Sequence, residues 1–148
     1  MVKKARTLAR EAALNVLYQV DVCGIPFDEA LLTAVSNADF EKTTNPAAAK
    51  EYTRFLTEGI REHKEIDKVI MDFASDEWPF YRLPVVDKNI LRIAIFEIDF
   101  SEDVDDAVAV DESLKLADKF AGAGSARFIN GLLASYLKSK SNNDEKES

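Results

Sequence analysis

Apolar residues recur at helical spacing along most of the chain, and strand-like alternation nowhere extends beyond a few residues. In the clearest stretch, Arg82 to Ile98, the apolar residues that share one helical face are Val86, Ile90, Ile93, Ala94 and Ile98. Further apolar residues extend this surface around the helix, which leaves only Lys88 and Arg92 in a narrow polar strip away from the ends. A helix that is apolar on nearly all sides is normally buried. The pattern therefore predicts a central helix, Val85–Asp99, in an all-helical domain.

The remaining periodicity, together with start and stop signals, predicts about seven helices in all. The other predicted elements are helices over 6–22 and 28–35, a loop over 36–45, a helical stretch over 46–74 with a break between 59 and 64, a helix around 110–121 and a closing helix after Ser125. Asn45 followed by Pro46 is a typical helix start. Gly122 is a natural residue just after a helix, and Ser125 and Asp28 are natural N-caps.

The first predicted helix carries two neighbouring stripes. Small and apolar residues form the stripe expected to be buried, namely Ala5, Ala9, Ala13, Val16, Leu17 and Val20. A second stripe at four-residue spacing comprises Arg6, Arg10, Leu14 and Tyr18. We expect this second stripe to lie outside the core, where its cations can hold phosphates and Tyr18 can stack on an unpaired base. The competing interpretation is an ordinary charged helix surface with its aromatic residue in the core.

The charge distribution is uneven. The formal net charge is −8 over 148 residues, which by itself argues against a nucleic-acid partner. Residues 1–20, however, contain Lys3, Lys4, Arg6 and Arg10 against Glu11 alone. A basic end on an acidic body can form a local phosphate site, while the acidic body discourages indiscriminate binding. A charged, frayed terminus without a ligand is the alternative.

A second candidate phosphate site lies in the turn before the closing helix. Free N–H groups at a helix start attract phosphate, and Lys119 and Arg127 flank this turn. Phe128, beside Arg127, could stack on a base. The competing interpretation is purely structural, a C-cap followed by an N-cap. The turn itself lacks the Lys-Ser/Thr ending of a P-loop.

No catalytic or metal-binding set is evident in the sequence. The one histidine, His63, lies among charged residues, and Cys23 has no histidine near it in sequence to activate it. Pairs of carboxylates occur at predicted helix starts or turns, where they stabilise the helix dipole. We therefore expect a non-enzymatic protein without cofactor or metal. The chain has no apolar run long enough for a membrane span and no signal peptide, so the expected location is the cytoplasm.

Three segments, in order, resemble the NusB family of bacterial transcription antitermination factors. They are ARTLAREAALNVLYQ near the N-terminus, RLPVVDKNILRIAIFEI in the central helix and RFINGLL in the last helix. The resemblance spans roughly Ala5 to Lys138. It implies a single compact all-α domain, 1–138, of two packed helical subdomains. It also implies binding of boxA-like single-stranded RNA together with the ribosomal protein NusE, within the antitermination complex of RNA polymerase.

The resemblance also assigns roles to residues. The RNA-binding residues it implies are Lys3, Lys4, Arg6, Arg10, Tyr18, Lys119, Arg127 and Phe128, and it places Asp87 at the NusE surface, partly exposed. The chain departs from the family in a diluted arginine run near its start and in Gly124, where many members have an acidic or amide residue.

Two other functions remain open at this point. The acidic body suits a helical protein–protein adaptor that never contacts RNA, and NusB-like domains also precede the catalytic domain of some ribosomal RNA methyltransferases. The sequence does not decide between a monomer and a homodimer. Because residues 139–148 contain no hydrophobic side chain, we expect them to form a disordered polar tail.

Overall fold

The computed structural model describes residues 4–147, with side chains up to residue 144, and within these residues the fold is all-helical, without a strand. The α-helices are α1 (Ala5–Cys23), α2 (Phe27–Val35), α3 (Pro46–Glu62), α4 (Glu65–Phe73), α5 (Val85–Phe100), α6 (Asp106–Phe120) and α7 (Ala123–Glu147). Two short 3₁₀ helices span Ala38–Lys42 and Phe80–Arg82. The predicted fold class is confirmed. None of the described helices is long and apolar enough to cross a membrane.

The helices fall into two compact units, and the first, Met1–Lys64, contains α1, α2 and α3. Here α1 packs against both α2 and α3. One apolar cluster joins α1 to α2 through Val16, Ala30, Leu31 and Val35, and another contains Leu8, Phe40 and Ala49. Asn45 caps α3 as predicted, because its side chain accepts a hydrogen bond from the Ala48 N–H at 3.1 Å.

The second unit, Glu65–Ser148, is built around α5. This helix packs against α4, α6 and α7, so it is enclosed on several sides. Its residues from Ile90 to Phe96 are buried, except Arg92. The prediction of a central helix is confirmed, and α5 ends one residue beyond the predicted Asp99.

Local stop signals placed most helix ends correctly. The long periodic stretch does break, since α3 ends at Glu62 and α4 begins at Glu65. Gly122 follows α6 with φ 117°, a left-handed conformation that favours glycine. Two predicted N-caps are wrong. Asp28 lies inside the first turn of α2, and Ser125 lies inside α7, which begins at Ala123.

The C-terminal segment differs from its prediction. Residues 139–147 continue α7 rather than forming a disordered tail. The Tyr136 hydroxyl donates to the Asp99 carboxylate at 2.8 Å, and Lys140 Nζ lies 2.7 Å from the same carboxylate. Burial and this carboxylate together raise the pKa of Tyr136, so its hydroxyl stays a donor. Of these two contacts to α5, that of Lys140 lies within the segment predicted as a tail.

Arg92, in the polar strip of α5, forms an ion pair with a carboxylate of a neighbouring helix. Its Nε and Nη2 atoms donate to the Asp67 carboxylate of α4 at 2.7 and 3.0 Å. Nη1 donates to Asn89 Oδ1 at 2.7 Å. The guanidinium group therefore ties α4 to α5 through a two-pronged ion pair.

Candidate RNA surface and partner pocket

The first candidate surface lies on the N-terminal half of α1, where arginine side chains meet an aromatic ring of α3. The Arg6 guanidinium carbon lies 4.4 Å from the Tyr52 ring centroid, and that of Arg10 lies 5.8 Å from it. Both distances are within the range of cation–π attraction. Tyr52 is only 7% exposed, so its ring is a fixed support. The packing of α1 on α3 therefore orients two of the predicted RNA-binding cations.

The residues predicted to form this surface differ in their exposure to solvent. Lys4 is exposed and Tyr18 is 39% exposed, as a binding role requires, and Arg6 is half-buried. Lys3 lies outside the described residues. Arg10 is only 3% exposed, so its predicted place outside the core is wrong, and Leu14 of the same stripe is also buried. The reason is that α1 is covered by α2 and α3 together, which widens its buried face.

A neighbouring aromatic residue on α3 was not predicted to belong to this surface. Phe55 is 39% exposed, and its ring lies 5.5 Å from the Tyr52 ring. Both residues belong to the apolar period of the helical stretch predicted over 46–74. Their three-residue spacing was the available signal, because residues three apart on a helix are neighbours on its surface.

The second candidate surface surrounds the start of α7, in the second unit. Lys119 and Arg127 are both exposed, and Phe128 is half-buried. Lys119 Nζ lies 5.3 Å from the ring of Phe120, which is itself 46% exposed. The predicted cations are thus accessible on either side of the turn. They and the α1 residues belong to different compact units.

A cavity of about 320 Å³ opens beside this turn. It is lined by the aromatic rings of Trp78 and Phe128 and by the apolar residues Leu83 and Pro84. The remaining lining residues are Asp87, Gly124 and Ser125. Trp78, which precedes Pro79 in the segment between α4 and α5, is 56% exposed. A tryptophan next to a proline, outside any predicted helix, was the signal available in the sequence, because tryptophan is enriched at protein interfaces.

Asp87 lies in this cavity wall and is 4% exposed, so the expectation that it is partly exposed is wrong. The start of α7 packs beside the first turn of α5, and the Ser125 hydroxyl hydrogen-bonds the Asp87 side chain. Burial raises the pKa of Asp87, and the hydrogen bond from Ser125 partly opposes that rise. The assignment of Asp87 to the NusE surface stays a prediction.

The raised pKa of Asp87 gives a testable dependence of stability on pH. Ionised Asp87 costs stability above its folded pKa, and this cost disappears as the pH falls below the ordinary value of 3.8. We expect Asp87→Asn, which keeps an acceptor for Ser125, to be more stable than the wild type near neutral pH. The advantage should shrink through the window between the raised pKa and the ordinary value. Urea unfolding at several pH values measures it; an advantage that grows on acidification would contradict this account.

The fold is one that bacterial antitermination factors of known structure share. T. maritima NusB superposes with a TM-score of 0.79 at 29% identity, covering 93% of each chain. NusB in the crystal structure of the antitermination factors NusB and NusE with double-stranded RNA gives 0.77 at 29% identity, covering 91% of this chain and 97% of that one.

Sequence comparison agrees with the fold. The transcription antitermination protein NusB of Symbiobacterium thermophilum is 39% identical over 138 residues, covering 90% of each chain. The Clavibacter sepedonicus protein of the same name is 43% identical over 131 residues, covering 88% of this chain and 93% of its own. The NusB family model matches residues 7–138. The chain belongs to the NusB family, as the sequence predicted.

Proposed function

We propose that the protein is an RNA-binding transcription antitermination factor without catalytic activity, which acts in the cytoplasm. It binds boxA-like single-stranded RNA together with NusE, as part of the antitermination complex of RNA polymerase. The relatives named NusB support this proposal, as does the similar structure in which NusB is bound to NusE and RNA. The observation that carries it in this chain is the α1 surface, where Arg6 rests on Tyr52 and Lys4 and Tyr18 are accessible.

This surface suits a single strand of RNA for physical reasons. Lys4 and Arg6 supply positive charge for phosphates in a protein that is otherwise acidic. Because Tyr52 holds the Arg6 guanidinium, less side-chain freedom is lost when a phosphate binds it. Tyr18 offers a ring on which an unpaired base can stack. Lys3 extends the charge, and Arg10 supports the site from within.

The turn before α7 adds a second set of contacts in the proposal. Lys119 and Arg127 would hold further phosphates, and Phe128 would contact a base through its exposed part. The accessibility of these cations supports this assignment. The relatives are matched over about 90% of their own length, which favours an antitermination factor over an accessory domain of a methyltransferase.

The proposal is tested on the NusE-bound protein with a labelled boxA RNA oligonucleotide over a series of salt concentrations. Replacing Lys4 and Arg6 together by alanine should weaken binding and flatten the salt dependence. Each lost phosphate contact removes about 0.7 from the slope for a single strand. Tyr18→Ala should cost about 1–3 kcal/mol of binding free energy if the ring stacks on a base, with little change in slope.

Lys64 and Lys68 provide the matched control, since both are exposed and neither belongs to the proposed site. Their double alanine variant should bind RNA with nearly the wild-type affinity. Arg10 is left unchanged in this test, because a buried arginine cannot be removed without disturbing the packing of α1 on Tyr52. Wild-type affinity and slope in the Lys4/Arg6 variant would reject the surface and favour the protein-adaptor function.

A further inference from the structure

We infer that the Phe55 ring of α3 stacks on a base of the bound single-stranded RNA, so that the RNA contacts α3 as well as α1. This inference rests on the proposed function, because it assigns a further residue to the same RNA. Phe55 is 39% exposed, and its ring lies 5.5 Å from the Tyr52 ring at an interplanar angle of 32°. The Arg6 guanidinium carbon lies 4.4 Å from the centroid of that same Tyr52 ring. A candidate phosphate-binding cation and a candidate stacking ring therefore share one support.

Helices α1 and α3 of the first unit run in the same direction. Leu8 and Ala49, each near the start of its helix, belong to one apolar cluster. Toward the other end of α3, the Arg61 guanidinium carbon lies 4.6 Å from the ring centroid of Phe27. Phe27 in turn packs against the cluster that joins the second half of α1 to α2. Positions therefore follow one another in the same order along the two helices.

This shared direction places Phe55 along the route between two residues of the α1 surface. Phe55 comes three residues after Tyr52, about 4.5 Å further along α3. Arg6 and Tyr18 are 12 residues apart, or about 18 Å along α1. Because the helices run in the same direction, the step from Tyr52 to Phe55 leads from the level of Arg6 toward that of Tyr18. An RNA strand that contacts both α1 residues passes the Phe55 ring.

Charge favours a base rather than a phosphate at Phe55. Glu51 and Glu58 are exposed and lie four residues before and three residues after Phe55, so they are its neighbours on the helix surface. A phosphate above the ring would be repelled by these carboxylates, whereas a base is neutral and can donate amino hydrogens to a carboxylate. The cations Lys4 and Arg6 lie on α1. The strand is therefore oriented with its backbone toward α1 and its bases toward α3.

The Phe55 ring has the properties of a stacking platform. It packs on Tyr52, which is only 7% exposed, so its orientation is restricted before RNA binds. Little side-chain freedom is therefore lost on binding. Stacking on an aromatic ring tolerates any sequence, because every base has a π-face. Phe55 should thus add affinity for a single strand and leave the salt dependence unchanged, since it makes no phosphate contact.

The first test measures binding of labelled boxA RNA to the NusE-bound protein over a series of salt concentrations. Phe55→Ala and Phe55→Leu should each weaken binding by at least about fivefold, with the wild-type salt slope. Phe55→Trp keeps an aromatic face and should retain the affinity. Phe55→Leu keeps an apolar contact with Tyr52, and thermal unfolding verifies that it is folded. Phe100→Ala is the matched control, because Phe100 is 38% exposed and its ring lies 5.1 Å from that of Phe96 in the second unit.

The second test identifies the stacked base with a series of RNAs, each of which lacks the base at one nucleotide. One abasic position should weaken binding to the wild type but not weaken binding to Phe55→Leu any further, as a double-mutant cycle shows. A different position should be coupled in the same way to Tyr18→Ala. If no abasic position is coupled to Phe55, the ring does not stack on a base and the inference is wrong.

The outcomes separate this inference from the proposed function. If Phe55→Leu binds as well as the wild type while the Lys4/Arg6 double variant is weakened, Phe55 is not a contact and the proposed function stands. If Phe55→Leu flattens the salt slope, Phe55 acts only by supporting Tyr52 and Arg6, and the stacking assignment is wrong. If the wild-type complex binds no boxA RNA, both the inference and the proposed function are wrong.

Discussion

Replacing Ala94 by aspartate is expected to prevent folding of the protein. Ala94 is 0% exposed and lies in the middle of α5, the helix against which α4, α6 and α7 pack. A carboxylate there would be buried without a partner, at a cost of several kcal/mol. Domains of this size are stable by only about 5–15 kcal/mol, so the loss is comparable with the whole free energy of unfolding.

Far-UV circular dichroism and thermal unfolding measure this effect. Ala134→Asp is the matched control, because Ala134 is exposed on α7 and the substitution has the same cost in helix propensity. The control should unfold cooperatively near the wild-type temperature, whereas Ala94→Asp should show no such transition. A cooperative transition of Ala94→Asp close to that of Ala134→Asp would contradict the central position of α5.

The parts of the fold that the sequence predicted correctly depend on local signals. The α5 helix follows from apolar residues on nearly all sides, and the start of α3 follows from Asn45 and Pro46. The end of α6 follows from Gly122, which adopts φ 117°. Each of these features depends on a few residues that are close together in the sequence.

The wrong predictions concern polar residues whose partners are distant in sequence. Arg10 was placed outside the core because it lies beside the apolar stripe of α1, but it is buried near Tyr52 of another helix. Asp87 was expected to be partly exposed, yet it is buried beside Ser125. Spacing along one helix shows which residues share a face. It does not show which further helix packs against that face.

The candidate sites were predictable to different degrees. Lys4, Tyr18, Lys119 and Arg127 are accessible, as a binding role demands. The cavity beside Asp87 was not predictable, because residues of the turn before α5 and of the start of α7 form it together. The same contact explains the wrong N-cap, since the Ser125 side chain hydrogen-bonds Asp87.

Arg92→Ala is expected to lower the free energy of unfolding by about 1–3 kcal/mol, because it breaks a partly buried ion pair. The arginine side chain is 16% exposed and its partner Asp67 is 34% exposed, so both are partly desolvated. The substitution also removes the donor to Oδ1 of Asn89, which is 0% exposed. Arg92→Lys keeps the charge but cannot reproduce the two-pronged geometry, so we expect an intermediate loss.

Urea unfolding of both variants measures how much the Arg92–Asp67 ion pair between α4 and α5 contributes to stability. Lys42→Ala breaks the Lys42–Asp39 pair, whose side chains are 67% and 55% exposed, and this control should stay within the range of surface substitutions. A double-mutant cycle with Asp67→Ala isolates the coupling between the two charges. If Arg92→Lys is as stable as the wild type, the two-pronged geometry contributes nothing and charge alone joins the helices. If the coupling is near zero, the loss in Arg92→Ala arises from Asn89 and from packing rather than from the ion pair.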